Sequence, residues 1–247
     1  MTNNTTRFSD RVEDYVKYRP HYPQAVLTFL QDTYGFDPTW VVADIGSGTG
    51  ISTELFLRNF NEVYAVEPNQ EMRAKAEELL DGYPGFISID GTAEATGLPD
   101  ACANLIVAGQ AFHWFDPVAS RVEFDRIARP GAVVALVWNE RLTETSFEKE
   151  YEALIQQYAG EYKTVNHRNI TDEQLAGFFS PAAMTLARFD NQQLFDLEGL
   201  KGRLLSSSYV PKGNVAMMAA LEQLFARHAV EGRVRVGYDT KLYSGLL

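Results

Sequence analysis

The sequence predicts a doubly wound α/β fold with a mostly parallel, seven-stranded sheet, an antiparallel edge strand and helices on both faces. Short apolar, β-branched segments alternate with amphipathic helical segments from about residue 40 onward, and the pattern changes after residue 138. Continuous apolar strands separated by helices are typical of a parallel sheet buried on both faces. The 247 residues are 45% hydrophobic and 12% aromatic, which suffices for a substantial core.

Five strands are predicted in the first part of the chain. They are the segments 40–45, 62–66, 85–90, 104–109 and 131–138. A helix over about 51–60 follows the first strand. A second helix begins after Asn69, which serves as its N-cap, and it repeats apolar residues from Met72 onward at helical spacing.

The rest of the chain predicts two more strands and two helices. The strands are 185–195 and 234–243, and we expect them to form an antiparallel edge of the sheet. Helices are predicted around 147–158 and 215–225. The whole chain, 1–247, is interpreted as a single domain. The segments 1–38 and 139–183 are not needed for the sheet, so we expect an N-terminal lid and an insertion that contributes to the substrate pocket.

The charge balance excludes some classes of partner. Asp and Glu total 33 against 22 Lys and Arg, which gives a formal net charge of −11. Nucleic acid and anionic membranes are polyanions, so we expect neither as a partner. The expected substrate is a small, neutral or cationic molecule, although a well-placed Arg19 could still admit a carboxylate. We expect a monomer or a homodimer.

Other features of the composition suggest a cytoplasmic protein without a metal site. Cys102 is the only cysteine, and the histidines show no metal-ligand spacing. The first residues contain no apolar segment resembling a signal peptide. The longest apolar run, 132–138, is far shorter than the roughly 18–20 residues of a membrane span.

A glycine-rich segment directly follows the first predicted strand. Residues 44–50 read DIGSGTG and open the first helix. Glycines there permit backbone conformations closed to other residues and let a ligand approach the main chain. Glu67 follows the second strand, where a carboxylate can accept hydrogen bonds from both hydroxyls of a ribose. Together these features predict a cofactor that contains a nucleoside.

Two details separate the candidate cofactors. A dinucleotide site would have the pattern G-x-G-x-x-G, but this chain has G-x-G-x-G, with Ile51 at the position of the third glycine. Asp44 also places a carboxylate where a pyrophosphate would sit, whereas it suits a ligand with an ammonium and a sulfonium. The motif therefore favours S-adenosylmethionine, and a nucleotide-cofactor oxidoreductase is the weaker alternative.

Four segments carry a family resemblance. Residues 43–50, 64–72, 91–116 and 128–138 together resemble the class I S-adenosylmethionine-dependent methyltransferases, and most closely their small-molecule type 11 branch. The resemblance implies a Rossmann-like methyltransferase fold, S-adenosylmethionine as cofactor, and methyl transfer to a small molecule by in-line displacement. A non-catalytic S-adenosylmethionine-binding protein is the alternative, because residues that bind the cofactor and residues that do chemistry are separate sets.

The resemblance also implies which residues bind the cofactor. They are Asp44, Gly46, Ser47, Gly48 and Gly50 for the methionine portion, Glu67 for the ribose, and Asn69, Met72, Thr92, Ala93 and Glu94 around the nucleoside. Many relatives carry an aspartate where this chain has Thr92, so its hydroxyl or Glu94 would accept the bond from the adenine amino group. Alternatively, Met72 packs in the core and Ser47 caps the first helix.

Two further segments hold candidate site residues. Residues 110–116, QAFHWFD, leave the carboxyl end of a central strand, where open α/β sheets place ligands. Gln110 is a candidate contact to the methionine portion, and His113 is the candidate general base because imidazole titrates near neutral pH. Alternatively, His113 belongs to a packed aromatic cluster. In similar methyltransferases the segment corresponding to 15–23 folds over the cofactor, so Tyr15, Tyr18 or Arg19 would contact its carboxylate. Alternatively, this segment is a docked helix.

Overall fold

One seven-stranded sheet organises the protein. The computed structural model describes residues 12–160, 162, 170–211 and 213–247. The strands are β1 (Val41–Ile45), β2 (Glu62–Val66), β3 (Phe86–Ile89), β4 (Ala103–Gly109), β5 (Ala128–Arg141), β6 (Thr185–Phe195) and β7 (Val234–Leu246), in the order β3-β2-β1-β4-β5-β7-β6. This arrangement confirms the predicted fold class.

Helices connect the strands and cover the sheet. Those that the structure describes are α1 (Val12–Tyr18), α2 (Ala25–Tyr34), α3 (Ile51–Leu57), α4 (Gln70–Leu80), α5 (Pro117–Ile127), α6 (Ser146–Tyr158), α7 (Asp172–Phe179), α8 (Leu197–Leu205) and α9 (Val215–His228). Among the described residues, no helix has both the length and the apolar composition that a membrane span requires.

The strand order places three loops at one edge of the sheet. β1 pairs in parallel with β2 on one side and with β4 on the other. Asp44 is thereby in register with Ala65 of β2 and with Val107 of β4. The strand order reverses at β1, because β2 lies on one side of it and β4 on the other. At such a switch point a crevice opens beyond the carboxyl ends of the strands.

The antiparallel part of the sheet contains the last two strands. β7 runs antiparallel to β5 and also to β6, so it lies between them and β6 forms the edge. The predicted antiparallel pairing on this side is confirmed, and the order of the two strands is new. β5 is also longer than predicted: residues 139–141 pair with β7 and belong to the strand rather than to an insertion.

Each face of the sheet is buried under helices. Val42 points into an apolar cluster with Leu27 of α2, whereas its neighbour Ala43 points into a second cluster with Phe124 of α5 and Phe179 of α7. Burial on both faces explains why the strands are continuously apolar in the sequence. Helices α2 and α7, which fall in the segments predicted as a lid and an insertion, both pack on the sheet. The parts of those segments at 1–11, 161 and 163–169 lie outside the described residues.

A third apolar cluster lies between three helices and the start of β7. It joins Ile155 of α6, Leu204 of α8 and Leu221 of α9 to Val234 and Tyr238 of β7. Helix α6 begins with a capping box, in which Thr145 accepts from the backbone N–H of Glu148 and Glu148 accepts from that of Thr145. The cluster therefore fixes helices that the parallel sheet itself does not require.

Helix α5 fixes the loop that follows β3. Thr96 donates to Glu123 Oε1 from its backbone nitrogen at 2.8 Å and from its hydroxyl at 2.5 Å. Arg126 donates to both carboxylate oxygens of Glu123, at 2.7 and 2.8 Å. Mainly through Arg126, these bonds lower the pKa of Glu123 to about 2. The carboxylate thus holds the loop against α5 in its ionised form.

We expect Glu123→Gln to destabilise the protein by about 2 kcal/mol at pH 7, because an amide cannot accept all of these bonds. The folded-state pKa is depressed, so the contribution is present above the unfolded-state value of about 4.5 and is lost as the pH falls towards 2. Urea unfolding at pH 7 and at pH 3.5 should therefore show a smaller difference at the lower pH. Asp32→Asn, at an exposed site on α2, is the control. An equal effect of the two variants would contradict this account.

Candidate cofactor site

The loops at the switch point surround a cavity of about 190 Å³. Of the residues predicted to bind a cofactor, the structure places in its wall Gly46, Gly48, Glu67, Asn69, Met72, Thr92, Ala93, Glu94 and Gln110. These residues come from four separate segments that follow β1, β2, β3 and β4. The sheet order alone brings them together, because the carboxyl ends of these parallel strands meet at one edge.

The glycine-rich loop is held by the end of β2. The backbone nitrogens of Gly46 and Ser47 donate to Val66 O at 2.8 and 3.1 Å. Gly46 has a φ of +70°, and a Cβ there would lie 2.7 Å from Ala111 Cβ. Gly50 has a φ of +88°, and a Cβ there would lie 2.5 Å from Leu80 Cδ1 of α4. The positive φ would strain a larger residue at both positions, and at Gly46 its Cβ would also clash with Ala111, so both glycines allow the close packing of the loop.

Ser47 and Gly50 are predicted to contact the cofactor, but both lie outside the cavity wall. Ser47 is buried, and its carbonyl accepts from the backbone nitrogen of Gly50 at 2.9 Å. Gly50 lets α3 pack closely against α4. Both residues therefore shape the loop, while Gly46 and Gly48 face the cavity.

Glu67 is fixed by two backbone groups. Its Oε2 accepts from the nitrogen of Gly48 at 2.9 Å, and its Oε1 accepts from the nitrogen of Asn69 at 2.8 Å. Burial raises the pKa of this carboxyl group, and the two backbone bonds oppose that shift. Each carboxylate oxygen keeps a further lone pair for a hydroxyl, so the side chain suits the two hydroxyls of a ribose.

One end of the cavity is built from α4 and the loop after β3. Asn69 Oδ1 accepts from the nitrogen of Met72 at 2.8 Å, which confirms the predicted N-cap. The backbones of Thr92 and Ala95 bond to each other, so Ala93 lies at the tip of a tight turn. Glu94 Oε1 accepts from the nitrogen of Asp116 at 2.9 Å. Met72 and Ala93 give this end apolar surface, which suits an adenine ring.

Asp44 lies buried beneath the loop rather than in the cavity wall. Its Oδ2 accepts from Ser52 Oγ at 2.7 Å and from Thr53 Oγ1 at 2.6 Å. Its Oδ1 is buried and accepts no hydrogen bond within the described part of the chain. Burial raises the pKa of Asp44 to about 6. A buried carboxylate with one uncompensated oxygen attracts a cation and repels a pyrophosphate, which fits S-adenosylmethionine better than a dinucleotide.

The other end of the cavity follows β4. Gln110 has a φ of +55°, an uncommon conformation for a residue with a side chain, and its Nε2 donates to Asn139 O at 3.1 Å. Trp114 and Phe115 are also in the wall, as is Tyr15 of α1. Backbone strain of this kind is concentrated at functional sites. The aromatic rings of Tyr15, Trp114 and Phe115 therefore form part of the cavity wall at this end.

Two predicted contacts from the N-terminal segment are not in the wall. The Tyr18 ring packs on Gly202 of α8, where a Cβ would lie 1.9 Å from the ring. Arg19 lies over the Tyr15 ring at 4.8 Å, and its Nη2 donates to Ser206 O at 2.9 Å. Packing of α1 against α8 turns Tyr18 and Arg19 away, so of the three candidates in this segment Tyr15 alone lies in the cavity wall.

His113 lies beside the cavity but is not in its wall. It is part of a 3-10 turn at Phe112–Trp114, and its ring lies 4.6 Å from that of Trp114. It borders a second cavity of about 680 Å³, which also contacts Arg121 and Phe178. Burial and the positive charge of Arg19 lower the pKa of His113 to about 4. The imidazole is therefore neutral at neutral pH and only weakly basic.

Sequence reasoning missed three small or rigid residues of the wall: Pro68, Gly109 and Ala111. A Cβ on Gly109 would lie 2.8 Å from Tyr22 Oη and 2.9 Å from Ser52 Oγ. The run of small residues at the end of a central strand was a signal that could have identified Gly109 and Ala111.

Comparison with known proteins identifies the central segment. Residues 43–136 match the family model described as a methyltransferase domain. The chain carries a methyltransferase domain. This segment spans β1, β2, β3, β4 and most of β5, and so includes nearly every residue of the cavity wall. The match confirms the resemblance seen in the sequence and implies S-adenosylmethionine as the cofactor of the domain.

Individual relatives agree with the family match. An uncharacterized methyltransferase of Mycobacterium tuberculosis is 32% identical over 148 residues, which are 60% of this chain and 58% of the relative. The matches span little more than half the length of such curated relatives. A structure assigned as a type II methyltransferase, from Anaeromyxobacter dehalogenans, has a TM-score of 0.70 at 23% identity and covers 93% of this chain and 98% of its own.

A second solved structure has the same fold. It is assigned as an S-adenosyl-L-methionine-dependent methyltransferase of Methanococcus maripaludis and has a TM-score of 0.58 at 18% identity. It covers 75% of this chain and 91% of its own. At these identities the likenesses concern the fold alone.

We expect Glu67→Gln to weaken binding of S-adenosylhomocysteine by about 10-fold or more, because the amide must turn an N–H towards the nitrogen of Gly48 or Asn69. Isothermal titration calorimetry measures the change. Glu78→Gln, on the exposed face of α4, is the matched control and should bind like the unmodified protein. Equal affinities of the two variants would show that Glu67 does not contact the ligand.

Asp44 should make the ligand-free protein less stable as the pH rises. Its folded-state pKa of about 6 exceeds the reference value of 3.8, so the folded state binds the proton more tightly. Stability should therefore fall between about pH 4 and pH 6, by up to about 3 kcal/mol. Asp44→Asn should remove this part of the pH dependence. Urea unfolding of both proteins at pH 4.5 and pH 7 tests it, and a difference that does not change with pH would be the contrary result.

Proposed function

We propose that this protein transfers the methyl group of S-adenosylmethionine to a small-molecule acceptor by in-line displacement. The observation that carries the proposal is the pair of carboxylates at the switch point: Glu67, held by two backbone nitrogens, and the buried Asp44 with its open oxygen. Together they suit a ligand that has both a ribose and a cationic group. When bound, the cofactor supplies a methyl carbon attached to a good leaving group.

The residues of the cavity would bind and orient the cofactor. Glu67 would hold the ribose, and Met72 and Ala93 would flank the adenine. The backbone of Gly46 and Gly48 would contact the methionine portion. Displacement at carbon needs the nucleophile and the leaving group in line, and such positioning contributes several kcal/mol to a rate.

Aromatic side chains would exclude water from the reacting atoms. Tyr15, Trp114 and Phe115 form the wall of the cavity on the side of Gln110. Phe115 packs edge-on against Phe112, which in turn contacts Phe178 of α7. The wall is thereby supported by the main core, and a rigid, dry wall keeps the acceptor in one orientation.

The chemistry of the acceptor is limited by the weak base beside the cavity. His113 is the residue predicted to accept a proton, but a pKa of about 4 makes proton transfer to it unfavourable at neutral pH. Such a site suits an acceptor whose nucleophilic atom carries no proton at neutral pH. For that acceptor, no proton has to be transferred to His113, and the imidazole would remain neutral.

Ligand binding separates the proposal from its alternatives. We expect S-adenosylmethionine and S-adenosylhomocysteine to raise the melting temperature of the protein, and NADH to leave it unchanged. Transfer of labelled methyl groups to an extract of small metabolites should then give a labelled product. Stabilisation by NADH alone would favour an oxidoreductase. Binding of S-adenosylmethionine without transfer to any fraction would favour a non-catalytic binding protein.

The low basicity of His113 can be measured directly. In an NMR titration the imidazole signal of His113, assigned by comparison with His113→Gln, should remain that of the neutral ring down to about pH 5. The physical reason is that both burial and Arg19 oppose protonation. A midpoint between pH 6 and pH 7 would instead restore His113 as an effective general base.

A further inference from the structure

A group of arginines lies behind the Tyr15 wall of the cavity, one of them buried and two half-buried. Arg19 follows α1, Arg141 ends β5 and Arg203 is in α8; we call these three residues the arginine cluster. Arg203 is only 5% exposed. The charges of Arg19 and Arg203 act on each other, as do those of Arg203 and Arg141. Guanidinium groups remain protonated in proteins, so the cluster concentrates positive charge in the interior.

Arg19 and Arg203 bond only to neutral oxygens in the described part of the chain. Arg203 Nε donates to Tyr238 Oη at 3.0 Å, and its Nη1 donates to Ser207 Oγ at 3.2 Å. Arg19 Nη2 donates to Ser206 O at 2.9 Å. The Nε of Arg19 is buried and has no hydrogen-bond partner there. Arg141 differs, since its Nη2 pairs with Glu152 Oε2 at 2.6 Å.

Buried charges without a counter-ion are costly, so two adjacent guanidiniums need an explanation. The positive charges of the cluster change the pKa values of neighbouring groups. Burial alone would raise the pKa of Tyr209, but the charges of Arg141 and Arg203, a hydrogen bond with Ser207 and the charge of Arg19 together lower that pKa. The pKa of Arg19 is itself lowered, by burial and then by Arg203. This part of the interior favours an anion.

The cluster adjoins the cofactor cavity. Arg19 lies against the Tyr15 ring at 4.8 Å, and Tyr15 is in the wall of that cavity. The charge of Arg19 also reaches His113, whose ring contacts Trp114 of the same wall. An anion bound by Arg19 and Arg203 would therefore sit next to the reactive end of the site.

We propose that Arg19 and Arg203 bind the anionic oxygen group, a carboxylate or a phosphate, of the methyl acceptor. The planar guanidinium can give two parallel N–H bonds to such a group. This inference rests on the proposed methyl transfer, and it replaces the neutral or cationic acceptor that the net charge suggested. It also agrees with an acceptor that needs no strong base.

Titration with simple anions tests the proposal. The protein is first saturated with S-adenosylhomocysteine. Citrate, succinate or inorganic phosphate is then titrated into it at constant ionic strength, and isothermal titration calorimetry measures the binding. At least one probe should bind saturably. Arg203→Met should weaken that binding about 30-fold or more, because it removes one of the two guanidiniums proposed to hold the anion. Arg233→Met, at an exposed position at the start of β7, is the control and should bind unchanged. The comparison of carboxylates with phosphate identifies the group.

The contrary results are distinct. If no probe binds to the loaded protein, or if Arg203→Met and Arg233→Met bind equally well, the proposal is wrong. If Arg203→Met does not fold, as judged by circular dichroism, Arg19→Met provides the same comparison, because the Arg19 side chain is partly exposed.

Two other measurements keep this proposal apart from the proposed function. Failure of S-adenosylhomocysteine itself to bind would overturn the methyl-transfer proposal. The carboxylate of the cofactor could also be the anion in question. In that case Arg19→Met and Arg203→Met would weaken S-adenosylhomocysteine but not 5′-methylthioadenosine, which lacks the carboxylate, and no added probe would bind. That result would overturn the acceptor site alone.

Discussion

The candidate site depends on the interlock between the loops that follow β1 and β2. Val66 O accepts from the nitrogens of Gly46 and Ser47, and one residue later Glu67 returns to accept from Gly48 and Asn69. These bonds fix the carboxylate, the glycine-rich turn and the start of α4 as one unit. Buried backbone groups that lose their partner are costly, so the ligand meets a preformed arrangement. The tight approach at Gly46 and Gly50 is a consequence of the same interlock.

Much of this arrangement is local in sequence, and that is why it could be predicted. The apolar strands, the glycine spacing, Glu67 after β2 and the Asn69 cap are all readable within about 30 residues. The orientation of Tyr18 and Arg19 depends on α8, nearly 190 residues away, and no local pattern encodes it. The position of β7 between β5 and β6 is equally non-local. The basicity of His113 depends on its burial and on Arg19, so imidazole chemistry alone could not give it.

The interior has opposite charges at its two ends. Asp44 and Glu67 lie where β1 and β2 end. Arg19 directly follows α1, and Arg203 lies in α8, on which α1 packs. If a sulfonium cofactor occupies the first region and an anionic acceptor the second, each ligand neutralises the charge next to it. The two ligands would also attract each other across the Tyr15 and Trp114 wall. That attraction would align the nucleophile with the methyl group at no cost in new protein contacts.

The net charge of −11 gave the opposite expectation for the acceptor, and the reason is physical. Most charged side chains are at the surface, where water and salt screen them within about 8–10 Å. A net charge therefore describes encounters with large polyanions and says little about a buried pocket. In the interior the effective dielectric constant is lower, so one or two unneutralised guanidiniums outweigh many distant carboxylates. On this proposal Arg19 and Arg203 determine the acceptor specificity, and their position in the fold cannot be read from the composition.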